Sequence, residues 1–358
     1  MEGQSRTDDI VRVPANGREQ FYDSRGYGRP AGDALDLAPV EAAHLLYRGD
    51  LDSVDGRGFR EYLSAVDGLA VRFLVYKDLR DRGFYCSPTR EGWSEAVDPD
   101  DTADFLVYPR GKGPWDEVVE HRVHVVGERT TVPAAELDGG VLAVVDEESE
   151  ITYLDTRRAA VEGDTDHEPP AGVAATLLGD RVVAWDPPES LYEQGFYGQP
   201  LDRDDDALQL SLVEAAYLAE RGALDVQADD RGDGHAAVLA RGREAEGGRF
   251  DRRLTVYTTL RDRGVVPKTG FKFGADFRTY AEVESVEELG HSELLVRVLP
   301  GGHTFAPRDL ALDVRLAHGV RKEMVFVLVD SQGEDAAAAG GTADGPDIEW
   351  LRVQRLTP

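Results

Sequence analysis

Thiols are nearly absent from this chain: Cys86 is the single cysteine in 358 residues. That excludes an intramolecular disulfide framework and any zinc site built from cysteines, and Cys86 itself reads as a small apolar packing residue. Long apolar runs are missing too. No stretch of 18 apolar residues and no basic-plus-apolar leader occurs, so the chain is expected to be soluble and cytoplasmic. Lysine is scarce, with Lys77, Lys112, Lys268, Lys272 and Lys322 the full set, while arginine is plentiful. No His-x-x-x-His or paired-acid metal motif emerges; His44, His167, His235 and His303 show no partner spacing, and His318 in "LAHGV" reads as a helix-surface or packing residue. Asp276 with Lys322 could suggest a metal-dependent nuclease core, but no Asp-x-Lys or Glu-x-Lys triplet follows in that part of the chain. Neither a metal nor another cofactor is expected.

What the chain has in excess is acid. Asp and Glu number 69 against 40 Lys and Arg, a formal charge of −29. The acids are spread between periodic apolar positions rather than gathered in a tail. Together with the scarcity of lysine, this fits a protein working in molar salt, where the Debye length is roughly 3 Å and self-repulsion is screened. Acidity therefore does not exclude a nucleic-acid partner. It excludes long-range attraction as the means of finding one.

Compared with itself, the chain is a duplication. "FYDSRGYG", ending at Gly28, matches "LYEQGFYG", ending at Gly198, and "VEAAHL" from Val40 matches "VEAAYL" from Val213. "VYKDLRDRG" from Val75 matches "VYTTLRDRG" from Val256, "ADFLVY" from Ala103 matches "ADFRTY" from Ala275, and "VVD" ending at Asp146 matches "LVD" ending at Asp330. Five matches in one order set the boundary in the polar stretch "VEGDTDHEPPAG". The expected division is residues 1–160 for the first repeat, 161–172 for a linker and 173–358 for the second, with lobes changing near residues 65 and 250.

Within each repeat the elements mix, so the fold class is α+β. "FYDSRGYG" is expected to be β, followed by an amphipathic helix that Pro39 opens and Gly49 closes. A second helix, "DRRLTVYTTLRDRG" in the later copy, stops at Gly264; its arginine-rich last turn is expected to complement the helix dipole. Then come β-like runs "FRTYAEV" and "HSELLVRVL", a helix opening on Pro307, the strand "EMVFVLVD", a low-complexity loop over 333–347 and the last strand, "IEWLRVQRL".

Shared residues serve the fold, and unshared ones are candidates for chemistry. "VVPKTGFKFG" in the second repeat stands where the first has "FYCSPTREGW", and "AHGVRKEM" where the first has "AELDGGVL". The second repeat keeps the glycines and lysines. The first reads as a scaffold.

Those unshared stretches, with "ADFRTY", "GHSELLVRVL" and "DVRLAHGVRKEMVFVLVD", resemble the archaeal tRNA-splicing endonuclease family, of the kind with two repeats per chain acting as a homodimer. The resemblance implies that each repeat is a small N-terminal α/β lobe followed by a mixed-sheet, nuclease-like lobe. It also implies a catalytic triad of Tyr280, His291 and Lys322. These would cleave RNA without a metal: a base near the 2′-OH, an acid near the leaving 5′-oxygen and a cation for the phosphoryl charge, leaving a 2′,3′-cyclic phosphate and a 5′-hydroxyl. Tyr108 aligns with Tyr280, and His121 and His124 fall near the acid position of the first repeat, but no lysine there matches Lys322. The implied substrate is precursor tRNA with a bulge-helix-bulge, its unstacked bases held by the guanidinium planes of Arg315 and Arg355. Lys268 and Lys272 either contact phosphates or brace their hairpin. The implied dimer contact is the acidic loop Asp146, Glu147, Glu148 and Glu150. The competing reading is a non-catalytic RNA-binding or assembly subunit.

Overall fold

The computed structural model describes all residues except 7–8, 91, 95–96, 98–101, 138, 203–206, 229–231 and 331–346. The low-complexity stretch expected as a loop over 333–347 thus lies almost wholly outside the described residues.

The first repeat opens with strands β1 (Glu2–Ser5), β2 (Val11–Val13), β3 (Arg29–Ala31), β4 (Ala34–Leu37) and β5 (Ser53–Val54), in the order β3-β4-β2-β1-β5. Helix α1 (Pro39–Arg48) follows β4; Pro39 has its φ preset for the first turn, and Gly49 ends the helix at φ 74°. The buried Glu41 accepts the Ala38 N–H at 2.9 Å and the Gly28 N–H at 2.7 Å, so one carboxyl group caps the helix and pins the preceding loop. Helices α2 (Phe59–Ala65) and α3 (Leu69–Asp81) lead into the second lobe, with strands β6 (Cys86–Pro88), β7 (Phe105–Val107), β8 (His121–Gly127), β9 (Val132–Pro133), β10 (Gly140–Val145) and β11 (Ile151–Arg158).

The second repeat runs the same course. Strands β12 (Val173–Leu178) and β13 (Arg181–Trp185), helix α4 (Glu189–Glu193), strands β14 (Gln199–Pro200) and β15 (Ala207–Ser211), helix α5 (Leu212–Glu220) and strand β16 (Leu224–Gln227) make its first lobe. Helices α6 (Gly234–Glu246) and α7 (Gly248–Asp262) follow. Strands β17 (Val266–Thr269), β18 (Phe277–Tyr280), β19 (Leu294–Pro300) and β20 (Thr304–Phe305), helix α8 (Pro307–Gly319) and strands β21 (Glu323–Val329) and β22 (Ile348–Leu356) make its second. The chain is α+β, a small α/β lobe before a mixed-sheet lobe, twice over.

Two expectations need correction. "FYDSRGYG" is not β: Arg18–Asp23 is a helical turn, and its counterpart is α4. The turn buries Phe21 as α4 buries Leu191, and the Gly28 and Gly198 N–H groups go to Glu41 and Glu214 rather than to a strand. A Cβ on Gly28 (φ 69°) would lie 2.3 Å from the Asp36 carbonyl oxygen, so only glycine permits that approach. Second, "FRTYAEV" is extended only to Tyr280, and the next strand starts at Leu294, leaving His291 in the connecting loop. The linker competes for that backbone: the Asp164 N–H donates to the Ala281 carbonyl at 2.7 Å, and the Val283 N–H donates to Thr165 Oγ1 at 2.9 Å. The arginines that the shared helix places in its last turn also reach inward. Arg80 donates to the Arg25 carbonyl and lies 4.2 Å from the Tyr27 ring centre; Arg261 donates to the Gly195 carbonyl and lies 3.9 Å from that of Tyr197. In each repeat this guanidinium joins one lobe to the other.

The two larger lobes share one sheet of ten strands, ordered β17-β18-β19-β21-β22-β11-β10-β8-β7-β6. The join is the antiparallel pairing of β22 with β11, Tyr153 opposite Leu356 through Arg158 opposite Leu351. Thr156 faces Val353, and these residues hold equivalent places in their repeats, so a local two-fold passes between them. Pairing like with like closes two exposed strand edges at once. A mixed core fills one face of this join, with Leu142, Val144 and Leu154 from one repeat against Phe326, Leu351 and Val353 from the other. The short pairing of β9 with β20 ties the repeats a second time.

Candidate active site

Strand direction gathers the candidate residues. β18 runs antiparallel to β19, with Thr279 opposite Leu294, and β19 runs parallel to β21, with Leu294 opposite Glu323. The C-terminal end of β18 and the N-terminal ends of β19 and β21 therefore share one margin of the sheet. Tyr280 ends β18, His291 lies in the loop just before β19, and Lys322 immediately precedes β21.

Contacts tie two of these segments together. The Lys322 ammonium donates to the carbonyl of Ser292 and, at 2.5 Å, to its hydroxyl, so the lysine holds the residue next to His291. Partial burial, and then the positive charge of Arg278, hold the Lys322 ammonium below the ordinary lysine range. His291 itself is exposed. The Tyr280 ring is buried edge-on against Phe196 of the small lobe, 5.6 Å between centres, beside Val266 and Val283. The Arg278 guanidinium lies 5.8 Å from its ring centre, since residues two apart on a strand share a face. Among the described residues nothing hydrogen-bonds the Tyr280 hydroxyl, whereas Tyr108 donates to Ser87 Oγ at 3.1 Å.

The lysine alternatives separate here. Lys268 is buried and donates to the carbonyls of Phe196 (3.1 Å) and Gly198 (2.6 Å) and to Glu214 Oε1 (3.2 Å). All three ammonium hydrogens are used internally, so Lys268 is a brace between lobes and the expectation of an RNA contact is withdrawn. Burial works to raise Glu214, but Lys268 and the N–H donors of Ser211 and Gly198 bring its carboxyl below the ordinary range. Lys272 is exposed on the hairpin turn Phe271–Phe273.

Asp276 is likewise structural. Its carboxylate pairs with Arg249 at 2.5 Å and Arg253 at 3.1 Å and accepts the Val298 N–H at 2.8 Å. Asp104 repeats the arrangement with Arg72 and the Val125 N–H. A carboxylate so occupied in both repeats belongs to the fold.

Arg315 is exposed on α8 and Arg355 on β22, whereas Arg158, which holds the place of Arg355 in the first repeat, pairs with Glu349 and the Ala134 carbonyl. The acidic loop is the turn between β10 and β11. Asp146 Oδ1 accepts the N–H groups of Glu148 and Glu150, and Glu147 pairs with Arg129, leaving Glu148 and Glu150 outward.

Sequence reasoning missed Ser292 and Arg278. Nothing in the sequence marks Ser292. Arg278 was detectable, since "ADFRTY" and "ADFLVY" differ there and Leu106 occupies the same register opposite Ser87 that Arg278 occupies opposite Lys268.

Comparison with known proteins adds to this geometry. Residues 250–336 match the tRNA intron endonuclease catalytic C-terminal domain, and residues 2–63 and again 173–235 match the N-terminal domain of the same family. Proteins called tRNA-splicing endonuclease from Haloarcula marismortui, Natronomonas pharaonis and Haloferax volcanii are 62%, 61% and 55% identical to this chain. The first match covers 98% of both chains, and the other two cover 100%. With such identity from end to end, the chain belongs to the tRNA intron endonuclease family.

Proposed function

We propose that this chain excises introns from precursor tRNA, cutting the splice sites of a bulge-helix-bulge by attack of the adjacent 2′-OH on phosphorus. The observation that carries the reading is the meeting of the β18, β19 and β21 ends, which groups Tyr280, His291 and Lys322 in the repeat that matches the catalytic domain. Tyr280 acts at the 2′-OH, accepting its proton or orienting it, with the Arg278 guanidinium beside its ring. His291, exposed at the margin, protonates the departing 5′-oxygen. Lys322, oriented by Ser292, offsets charge developing on the phosphoryl oxygens. The products are a 2′,3′-cyclic phosphate and a 5′-hydroxyl, and no step draws on a metal.

One catalytic repeat per chain and two splice sites call for two chains. We assign the dimer contact to the acidic turn, through Glu148 and Glu150 outward, with Asp146 and Glu147 shaping it, and base clamping to Arg315 and Arg355. The test is cleavage of a bulge-helix-bulge precursor in molar KCl with excess EDTA. Paired cuts with cyclic phosphate ends are expected, and His291→Ala and Lys322→Ala should each lose at least about 100-fold in rate. Tight RNA binding without cleavage would assign the chain to an assembly role, and loss of activity in EDTA would overturn the metal-free chemistry.

A further inference from the structure

The hairpin between β17 and β18 ends in a feature that the proposed chemistry leaves unused. Phe271 is 86% exposed, the largest exposure among the large hydrophobic residues described. A flexible loop would fold such a side chain away, but this turn is fixed. The Gly270 N–H donates to the Asp276 carbonyl at 3.1 Å, the Phe273 N–H to the Gly270 carbonyl at 2.8 Å, and Gly274 closes the turn at φ 69°. A Cβ on Gly270 would lie 2.8 Å from the Ala275 carbonyl oxygen, so the backbone is packed against itself. Phe271 is held out in water by its neighbours.

The hairpin that carries Phe271 also carries Lys268, Lys272 and Arg278, in a chain of formal charge −29. Lys77, Lys112 and Lys268 each pair with a carboxylate. Among the described residues Lys272, Arg278 and Lys322 have no carboxylate partner, and all three border this hairpin. Phe273, in the same turn, lies 5.8 Å from the Lys322 ammonium, which connects the turn to the proposed phosphoryl site. An outward aromatic among unpaired cations is the combination that holds single-stranded nucleic acid: the ring stacks on a base and the cations follow the backbone. Stacking suits molar salt, where phosphate attraction is screened.

We infer that Phe271 is a stacking platform for one unpaired base of the RNA substrate, next to the scissile phosphate and separate from the arginines proposed above. The inference rests on the proposed function for the identity of the RNA. The first repeat has "REGW" in the corresponding loop, without the "GFKFG" turn.

The test compares wild type with Phe271→Ala and Phe271→Trp on bulge-helix-bulge RNAs carrying single abasic nucleotides across the bulges, in molar KCl. Phe271→Ala should raise KM roughly tenfold with kcat little changed, and Phe271→Trp should restore it. One abasic position should raise KM for wild type and add nothing in Phe271→Ala. Equal KM for all three proteins on every RNA would overturn the platform while leaving the nuclease reading intact. Loss of the dimer in Phe271→Ala, measured by light scattering, would assign the ring to a protein contact instead. If wild type binds but does not cleave, fluorescence anisotropy on the same RNAs decides the platform independently, since Phe271→Ala must then weaken binding by a similar factor.

Discussion

The two repeats bury the same glutamate and treat it differently. Glu41 and Glu214 each accept a glycine N–H and the N–H that starts the following helix. In the second repeat Lys268 reaches in from the neighbouring lobe to complete an ion pair; in the first, Ser87 holds the position of Lys268 and, among the described residues, no ammonium pairs with Glu41. Burial consequently pushes Glu41 up to about 7, against the opposing backbone donors Gly28 and Ala38 and the Arg80 charge. Glu214 instead stays below the ordinary carboxylate range. The difference teaches what the catalytic repeat needs. Lys268 also bonds the Phe196 carbonyl, and Phe196 is the ring packed on Tyr280, so the ion pair fixes the wall of the proposed site.

Breaking that pair should have the largest effect. Lys268→Met leaves a buried carboxylate without its counter-ion and should cost about 3–5 kcal/mol in guanidinium unfolding at high salt. Adding Glu214→Gln should recover part of that loss. If Lys268→Met costs no more than an exposed lysine does, the brace is not structural and the contrast between repeats fails.

Next comes the pH dependence of the first repeat. Because Glu41 rises from 4.5 to about 7 on folding, the fold favours the protonated acid. Its stabilisation is complete below about pH 4.5 and is lost as the pH climbs through about 7, by about 3 kcal/mol in all. Unfolding at pH 5 and pH 8 should show this component in wild type, and Glu41→Gln should lack it. A variant with the wild-type pH profile would mean that Glu41 is charged in the fold and paired in a way the contacts above do not provide.

The smallest effect sharpens the comparison at the tyrosines. Tyr108→Phe removes one hydrogen bond to Ser87 and should cost about 1 kcal/mol with unchanged cleavage. Tyr280→Phe, in contrast, should reduce cleavage strongly with little change in stability. Equal losses of activity in both would make the first repeat a working site.

Much of the fold was legible because the duplication acted as an internal control. The helix capped at Pro39 and Gly49, the helix ending at Gly264, the strand ending at Val329 and the last strand follow local rules of capping and periodicity. The features that local rules miss share one cause. "FYDSRGYG" has strand-like aromatics, but its glycine donors belong to a glutamate further along the chain, and the inward turn of Arg80 and Arg261 depends on aromatic rings of another lobe. The same holds for Lys268, whose sequence neighbours suggest an exposed hairpin while its three acceptors lie in the preceding lobe.

By itself the sequence determined the duplication, the α+β class, the salt-adapted surface and which repeat carries the unshared lysines and glycines. These are properties of composition, spacing and periodicity, which survive without coordinates. Only the tertiary structure decided that the repeats fuse into one ten-stranded sheet through β11 and β22, and that the linker bonds the backbone after Tyr280. It also decided that Lys268 faces inward while Phe271, three residues on, faces water. Each of those outcomes depends on which distant donor or acceptor satisfies a buried polar group, and that pairing is set when the lobes pack together.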